Sequence, residues 1–265
     1  DKRHASVASI AFIFGWLGIA SYFLWLLTND VIYLNFARQA GIWFFLLPIL
    51  LVVSHRMIPF FSSRVLENYV MVRPYWILWV MLACSSGHGL LLLFNQPELT
   101  WVVDFVLASC AFYLSIVWGF KRSFSVSLLA VLHISFAWLS IAMFLFALQS
   151  LMFWFDNERV MLLGLAPIHA LVIGYFSSMV LGMASRVTLG HSGRPLVLDS
   201  FTWLLFLGFQ WATFSRILPD MIPNLSEQYP YWYLVAGSIW LVCFTIWAFR
   251  FAPIYWRPRS DGKPG

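Results

Sequence analysis

Residues 166–195 read APIHALVIGYFSSMVLGMASRVTLGHSGRP. The first part is an apolar run of membrane length with His169 inside it and Met179 and Met183 further along; it leaves the apolar zone at Arg186. Such a run, about 20 residues long, is what an α-helix needs to cross the hydrocarbon core. It closes in a polar turn, Gly190-His191-Ser192-Gly193-Arg194-Pro195. Glycine permits tight backbone geometry there and proline blocks continuation of the helix. No other stretch concentrates two imidazoles, two thioethers and two guanidiniums on one helix and its turn.

Seven further runs of this kind flank it. In order, the eight are Ala5 to Leu27, Gln39 to Phe61, Pro74 to Phe94, Leu99 to Phe120, Ser127 to Gln149, Val160 to Ser185, Phe201 to Leu218 and Tyr231 to Ala252. Their continuity predicts helices, because a spanning barrel needs short alternating strands. Composition agrees: 62% of the 265 residues are hydrophobic and only 10% charged, against about 25% charged in a soluble domain. The expected fold is therefore an all-α polytopic transmembrane helix bundle of about eight spans. It forms a single transmembrane helical domain over residues 1–265, with 257–265 as a loose cytoplasmic tail. The formal charge of +5 suggests nucleic acid in a soluble protein, but here it belongs to membrane orientation, and no nucleic-acid partner is expected.

Placing both termini in the cytoplasm leaves only Arg38, Arg159 and Arg216 outside, with the other Lys and Arg inside. That asymmetry follows the positive-inside rule. Asp30, Glu98, Asp156, Glu158, Asp220 and Glu227 fall outside, and the lipid bilayer is the first partner. The three cysteines lie in apolar runs without a CxxC pair, so neither a disulfide framework nor a thiolate zinc site is indicated. P-loop, GxGxxG, HExxH and GxSxG patterns are lacking.

Ionisable groups inside spans are costly and mark function by default. His55, His88, His133 and His169 qualify. At about 1.5 Å rise per residue, they sort by depth into His55 with His133 and His88 with His169. Each alone is as well read as a structural histidine bonded to a carbonyl; four together point to a haem or metal centre. Neutral imidazole suits haem iron and copper, and thioether suits Cu(I). The candidate metal set is His55, His133, His169, His191 and Met183. His169 and Met183 share a face to within roughly 40° but lie about 21 Å apart along the axis, so they line a path rather than bind one ion. Met183 is also a plain apolar-face residue. Candidate cofactor-binding residues are His88, His169, His191, Arg56, Arg186 and Arg194. The small residues of Cys84-Ser85-Ser86-Gly87-His88-Gly89 admit either a flat macrocycle or close helix packing. Arg56 and Arg186 either snorkel to lipid phosphates or hold an anionic group such as a haem propionate. Asp104 is read as reaching the interface.

The segment from His169 through SRVTLGHSGRP, with His55-Arg56-Met57-Ile58-Pro59-Phe60-Phe61 far upstream, resembles the NnrS family. These are bacterial inner-membrane proteins described as containing haem and copper and tied to the nitric-oxide response. The resemblance runs from about the second span to the seventh. It matches Arg56, Met57, Pro59, His169, Arg186, Gly190, His191, Gly193, Arg194 and Pro195 to family motif positions, without saying which bind metal. It implies haem b and copper as cofactors, and a small nitrogen-oxide ligand such as nitric oxide. Family members are longer and carry an earlier His-containing helix ending in a similar turn. This chain is thus expected to be a C-terminal portion or a shortened relative, whose site a homo-oligomer or a missing N-terminal half completes. The function implied is a multi-pass haem and copper protein that binds nitric oxide and relieves nitrosative stress, with no turnover required. The alternative is a transporter or permease whose intramembrane histidines bind a metal ion or small anion.

Overall fold

A computed structural model describes residues 2–155, 162–222 and 229–262. They form eight long helices: α1 (Lys2–Thr28), α2 (Val31–Val65), α3 (Tyr75–Leu93), α4 (Thr100–Val117), α5 (Ser127–Phe155), α6 (Ala166–His191), α7 (Ser200–Met221) and α8 (Tyr229–Tyr255). Each overlaps one expected run, and the described residues contain no strand. Seven are long and apolar enough to cross a membrane. The exception is α7: it has the length, but Gln210, Arg216 and Asp220 dilute its apolar character.

Two boundaries differ from expectation, each for a local reason. Asp30 caps α2, its Oδ1 accepting from the Ile32 amide at 3.0 Å. This satisfies a donor at the helix start, so Arg38 is helical rather than part of an outer loop. The second concerns α6, which continues past Arg186 to His191. There Gly193 adopts φ +71°, the Arg194 amide bonds the Leu189 carbonyl at 3.1 Å, and the Gly193 amide bonds that of Gly190 at 3.4 Å. This is a Schellman stop with glycine at its left-handed position. Asp1, Asp156, Glu158, Arg159, the Val160 start of the sixth run, Glu227 and Lys263 lie outside the described residues.

The chain divides into two compact units, Asp1–Trp118 with Met143–Met161, and Gly119–Ala142 with Leu162–Gly265. In the first, α2 turns π-helical over Ala40–Leu46. The carbonyl of Trp43 accepts from Ser85 Oγ at 2.6 Å, which satisfies the disturbed ladder in a place where water is scarce. Leu47, Leu51, Ile77, Leu78, Met81 and Leu107 of this unit are all fully buried. In the second unit, α6 is π-helical over Ala170–Ser177. Ser177 and Ser178 donate to the carbonyls of Val172 and Ile173 at 3.0 and 3.3 Å. Gln210 of α7 ties the interior together, accepting from Trp138 Nε1 at 2.6 Å and donating to Ser178 Oγ at 3.2 Å. The tail is anchored where it is described: the Ser260 amide donates to the Ser192 carbonyl at 2.9 Å.

Candidate functional site

In the first unit, α3 carries His88 and α4 carries Asp104, both completely buried. His88 Nδ1 lies 2.5 Å from Asp104 Oδ1. A buried carboxylate can only accept, so Nδ1 carries the proton of this bond when the carboxylate is ionised. Trp43, on the π-helical turn of α2, stacks on the imidazole with 3.6 Å between ring centroids, and Phe146 meets it edge-on at 5.2 Å. One face of the imidazole is thereby covered by Trp43, and Phe146, 5.3 Å from Trp43, borders the ring from the side. His88 Nε2 and Asp104 Oδ2 are buried without hydrogen-bond partners, a cost of about 1–3 kcal/mol for each such group. Asp104 therefore does not reach the interface, and that expectation is corrected: its position places it on the α3-facing side of α4.

The small-residue patch around His88 is filled. A Cβ on Gly89 would sit 2.6 Å from the Phe44 ring, and one on Gly87 would sit 3.2 Å from Val103. Of the two readings of that patch, close helix packing is the one observed.

A second imidazole group stands in the same unit. His4 Nε2 and His55 Nδ1 are 3.1 Å apart, so one proton is shared by donation from one ring to the other. Tyr75 flanks both rings at 5.4 to 5.5 Å, and Arg3 lies over the Tyr75 ring at 4.8 Å. The partner of His55 in this unit is thus His4, which its place before the first apolar run did not suggest. Arg56 is exposed.

In the second unit, His133 and Arg186 are buried on α5 and α6, while Met183 is half-buried. His191 is exposed on the last turn of α6, and Arg194 is half-buried just beyond the stop. His169 is half-buried on the first turn of α6, with Nδ1 2.7 Å from the Leu165 carbonyl. It borders a cleft of about 460 Å³ that also meets Arg216 of α7 and Trp240 of α8. Arg216, expected as an outer basic residue, is bound to Asp220 at 3.0 Å and stacked on Tyr233 at 4.0 Å. Outside the spans, Asp199 caps α7 by accepting from the Thr202 hydroxyl and amide. The Thr202 hydroxyl first, and Arg250 at 2.9 Å after it, hold the Asp199 carboxyl below its ordinary range.

Among the described residues no three His, Cys, Asp or Glu side chains converge. His4 and Asp220 are site-forming groups absent from the candidate sets, and Asp104 is expected there only at the interface. For Asp104 the available signal was its presence within an apolar run, where a carboxylate must find a partner; for Asp220, just past its run, it was the i,i+4 spacing from Arg216.

No curated protein and no solved structure matches the chain. A family model described as NnrS protein matches residues 1–259, a wider range than the motif-bearing region alone. By this match, and with helices apolar enough to cross a membrane, the chain belongs to the NnrS family of bacterial membrane proteins of the nitric-oxide response.

Proposed function

We propose that the protein is a membrane haem protein that binds nitric oxide or a related nitrogen species and relieves nitrosative stress, with His88 as the haem ligand. The carrying observation is the buried His88 whose Nδ1 is held by Asp104 while Nε2 has no partner. Metal-bound histidines usually donate their other N–H to a carboxylate or carbonyl, which fixes the tautomer and raises the basicity of the ligating nitrogen. Haem brings its own four equatorial nitrogens, so one or two imidazoles suffice. The donor chemistry therefore suits haem b, and with Phe44 and Val103 filling the small-residue patch the macrocycle would have to meet His88 Nε2 from another side.

The donor set does not fit copper held by three or more His, Cys, Asp or Glu ligands. The His4 Nε2 and His55 Nδ1 atoms face each other in a hydrogen bond, and no group of three such side chains occurs among the described residues. If held there by His88, haem iron would supply the centre that binds a diatomic ligand.

The chain's own contribution is orientation and exclusion of water. Asp104 holds the His88 proton on Nδ1, and Trp43 and Phe146 fix the ring and keep solvent away. Asp104 acts as a positioning residue.

The test compares haem per protein in His88→Gln, Asp104→Asn and the exposed control His191→Gln. His88→Gln is expected to abolish the Soret band. Asp104→Asn should weaken haem affinity by about 10- to 100-fold and shift the optical spectrum of what remains. His191→Gln should match the wild type. Full haem in His88→Gln would remove this assignment.

A further inference from the structure

The cleft between α6, α7 and α8 in the second unit is not used by the haem reading, and its chemistry is specific. We propose that it binds a quinone or quinol from the bilayer. The proposal is independent of the haem assignment and concerns binding, with no electron-transfer step attached.

Four observations carry it. First, the volume of about 460 Å³ falls within the range of small-molecule sites, about 300–1,000 Å³. Second, one end offers an acceptor. The Leu165 carbonyl at 2.7 Å from His169 Nδ1 can only accept, so the neutral ring carries its proton there and Nε2 is an acceptor. Among the described residues Nε2 has no hydrogen-bond partner. Third, the same cleft offers a donor: Arg216 spends one nitrogen on Asp220 and keeps others. Its charge is cancelled by that buried carboxylate, and its plane is fixed by Tyr233. A neutral site with one acceptor and one donor disfavours a free anion and suits a molecule bearing hydroxyl or carbonyl oxygens. Fourth, the walls are apolar, including Ile173 and Trp240, and a Cβ placed on exposed Gly237 would meet nothing within 4 Å. The mouth at Gly237 therefore has room for an apolar substituent. Leu234 and Leu241 of α8 are exposed at 68% and 60%, so α8 presents an apolar surface from which a lipid-soluble ligand can enter.

In this arrangement a quinol hydroxyl donates to His169 Nε2, and a quinone carbonyl accepts from Arg216. A lipid phosphate is the competing occupant, and the cancelled charge argues against it.

The experiment uses the full chain in phosphatidylcholine nanodiscs, labelled with a photoreactive azidoquinone, with labelled peptides identified by mass spectrometry. Label is expected on residues 166–177 and 229–240, competed away by decylubiquinone and not by phosphatidylglycerol. Gly237→Leu, which fills open space, and His169→Phe, which removes the acceptor, should each reduce labelling at least about fivefold, as loss of a hydrogen bond or of access requires. Val180→Leu, exposed on α6, should leave it unchanged. Thermal melts verify folding of each variant, and His169→Phe provides the reading if Gly237→Leu does not fold. Undiminished labelling in a folded variant overturns the proposal, as does equal competition by phosphatidylglycerol. Labelling does not need haem, so this proposal and the haem reading fail separately.

Discussion

His88 and Asp104 show how far a single residue can be read from sequence. Both were visible as ionisable groups within apolar runs, and His88 was a candidate on that ground. Depth along a span follows from rise per residue, but facing depends on how neighbouring helices pack, so Asp104 was assigned to the interface when it is buried against His88. The same gap hid His4, which lies in the first turn of α1 and bonds His55. Asp199 gives a residue-scale prediction in pH. Its carboxyl is held below the ordinary range by the Thr202 hydroxyl, its amide and Arg250. A depressed carboxyl stabilises the fold above its unfolded value, about 3.9, and the contribution disappears as pH falls through the folded value. Asp199→Ala should therefore lower stability at neutral pH by about 1 kcal/mol, the worth of an N-cap. Thermal melts of both proteins are expected to converge once pH has fallen below the folded value. The salt link to Arg250 is half exposed and adds little.

At the scale of elements, helix existence was legible and helix interruption was not. The eight apolar runs correspond to eight helices because length and hydropathy determine that much. The π-helical turns at Ala40–Leu46 and Ala170–Ser177 carry no sequence signature of their own. They depend on serines that satisfy displaced carbonyls, and such turns concentrate at functional positions: the first presents Trp43 to His88, and the second begins directly after His169. The closing turn of α6 was partly legible, since Gly193 and Pro195 announce a stop. What the sequence left open was that the helix runs on to His191. Two glycines of that turn should respond oppositely. Gly193→Ala meets a left-handed backbone and places a Cβ 2.6 Å from the Asp261 carboxyl, so a loss of about 1 kcal/mol or more is expected. Gly190→Ala sits in the helix, with an ordinary 3.7 Å contact to Leu196, and should gain up to about 1 kcal/mol. Equal melting shifts in the two variants would contradict the Schellman assignment. Gly89→Ala drives a methyl into Phe44 and should cost about 1–3 kcal/mol by overpacking.

For the whole molecule, composition alone established a membrane protein, and the family match extends along residues 1–259. The number of crossings turns on α7, whose Gln210, Arg216 and Asp220 lower its hydropathy. Each of those groups has a partner within its unit, which is the condition for a polar side chain to remain inside the hydrocarbon. We expect α7 to cross, giving eight spans with both termini cytoplasmic. Alkaline phosphatase and fluorescent-protein fusions at each end check this; termini on opposite sides would mean that α7 does not span. The proposed haem site is tested by the optical spectrum of the detergent-purified chain, oxidised and reduced, before and after addition of nitric oxide. The haem site predicts a Soret band in the wild type that shifts with the gas and is absent from His88→Gln. A haem-supplied wild-type protein without a Soret band, or a band that nitric oxide leaves unmoved, would contradict it.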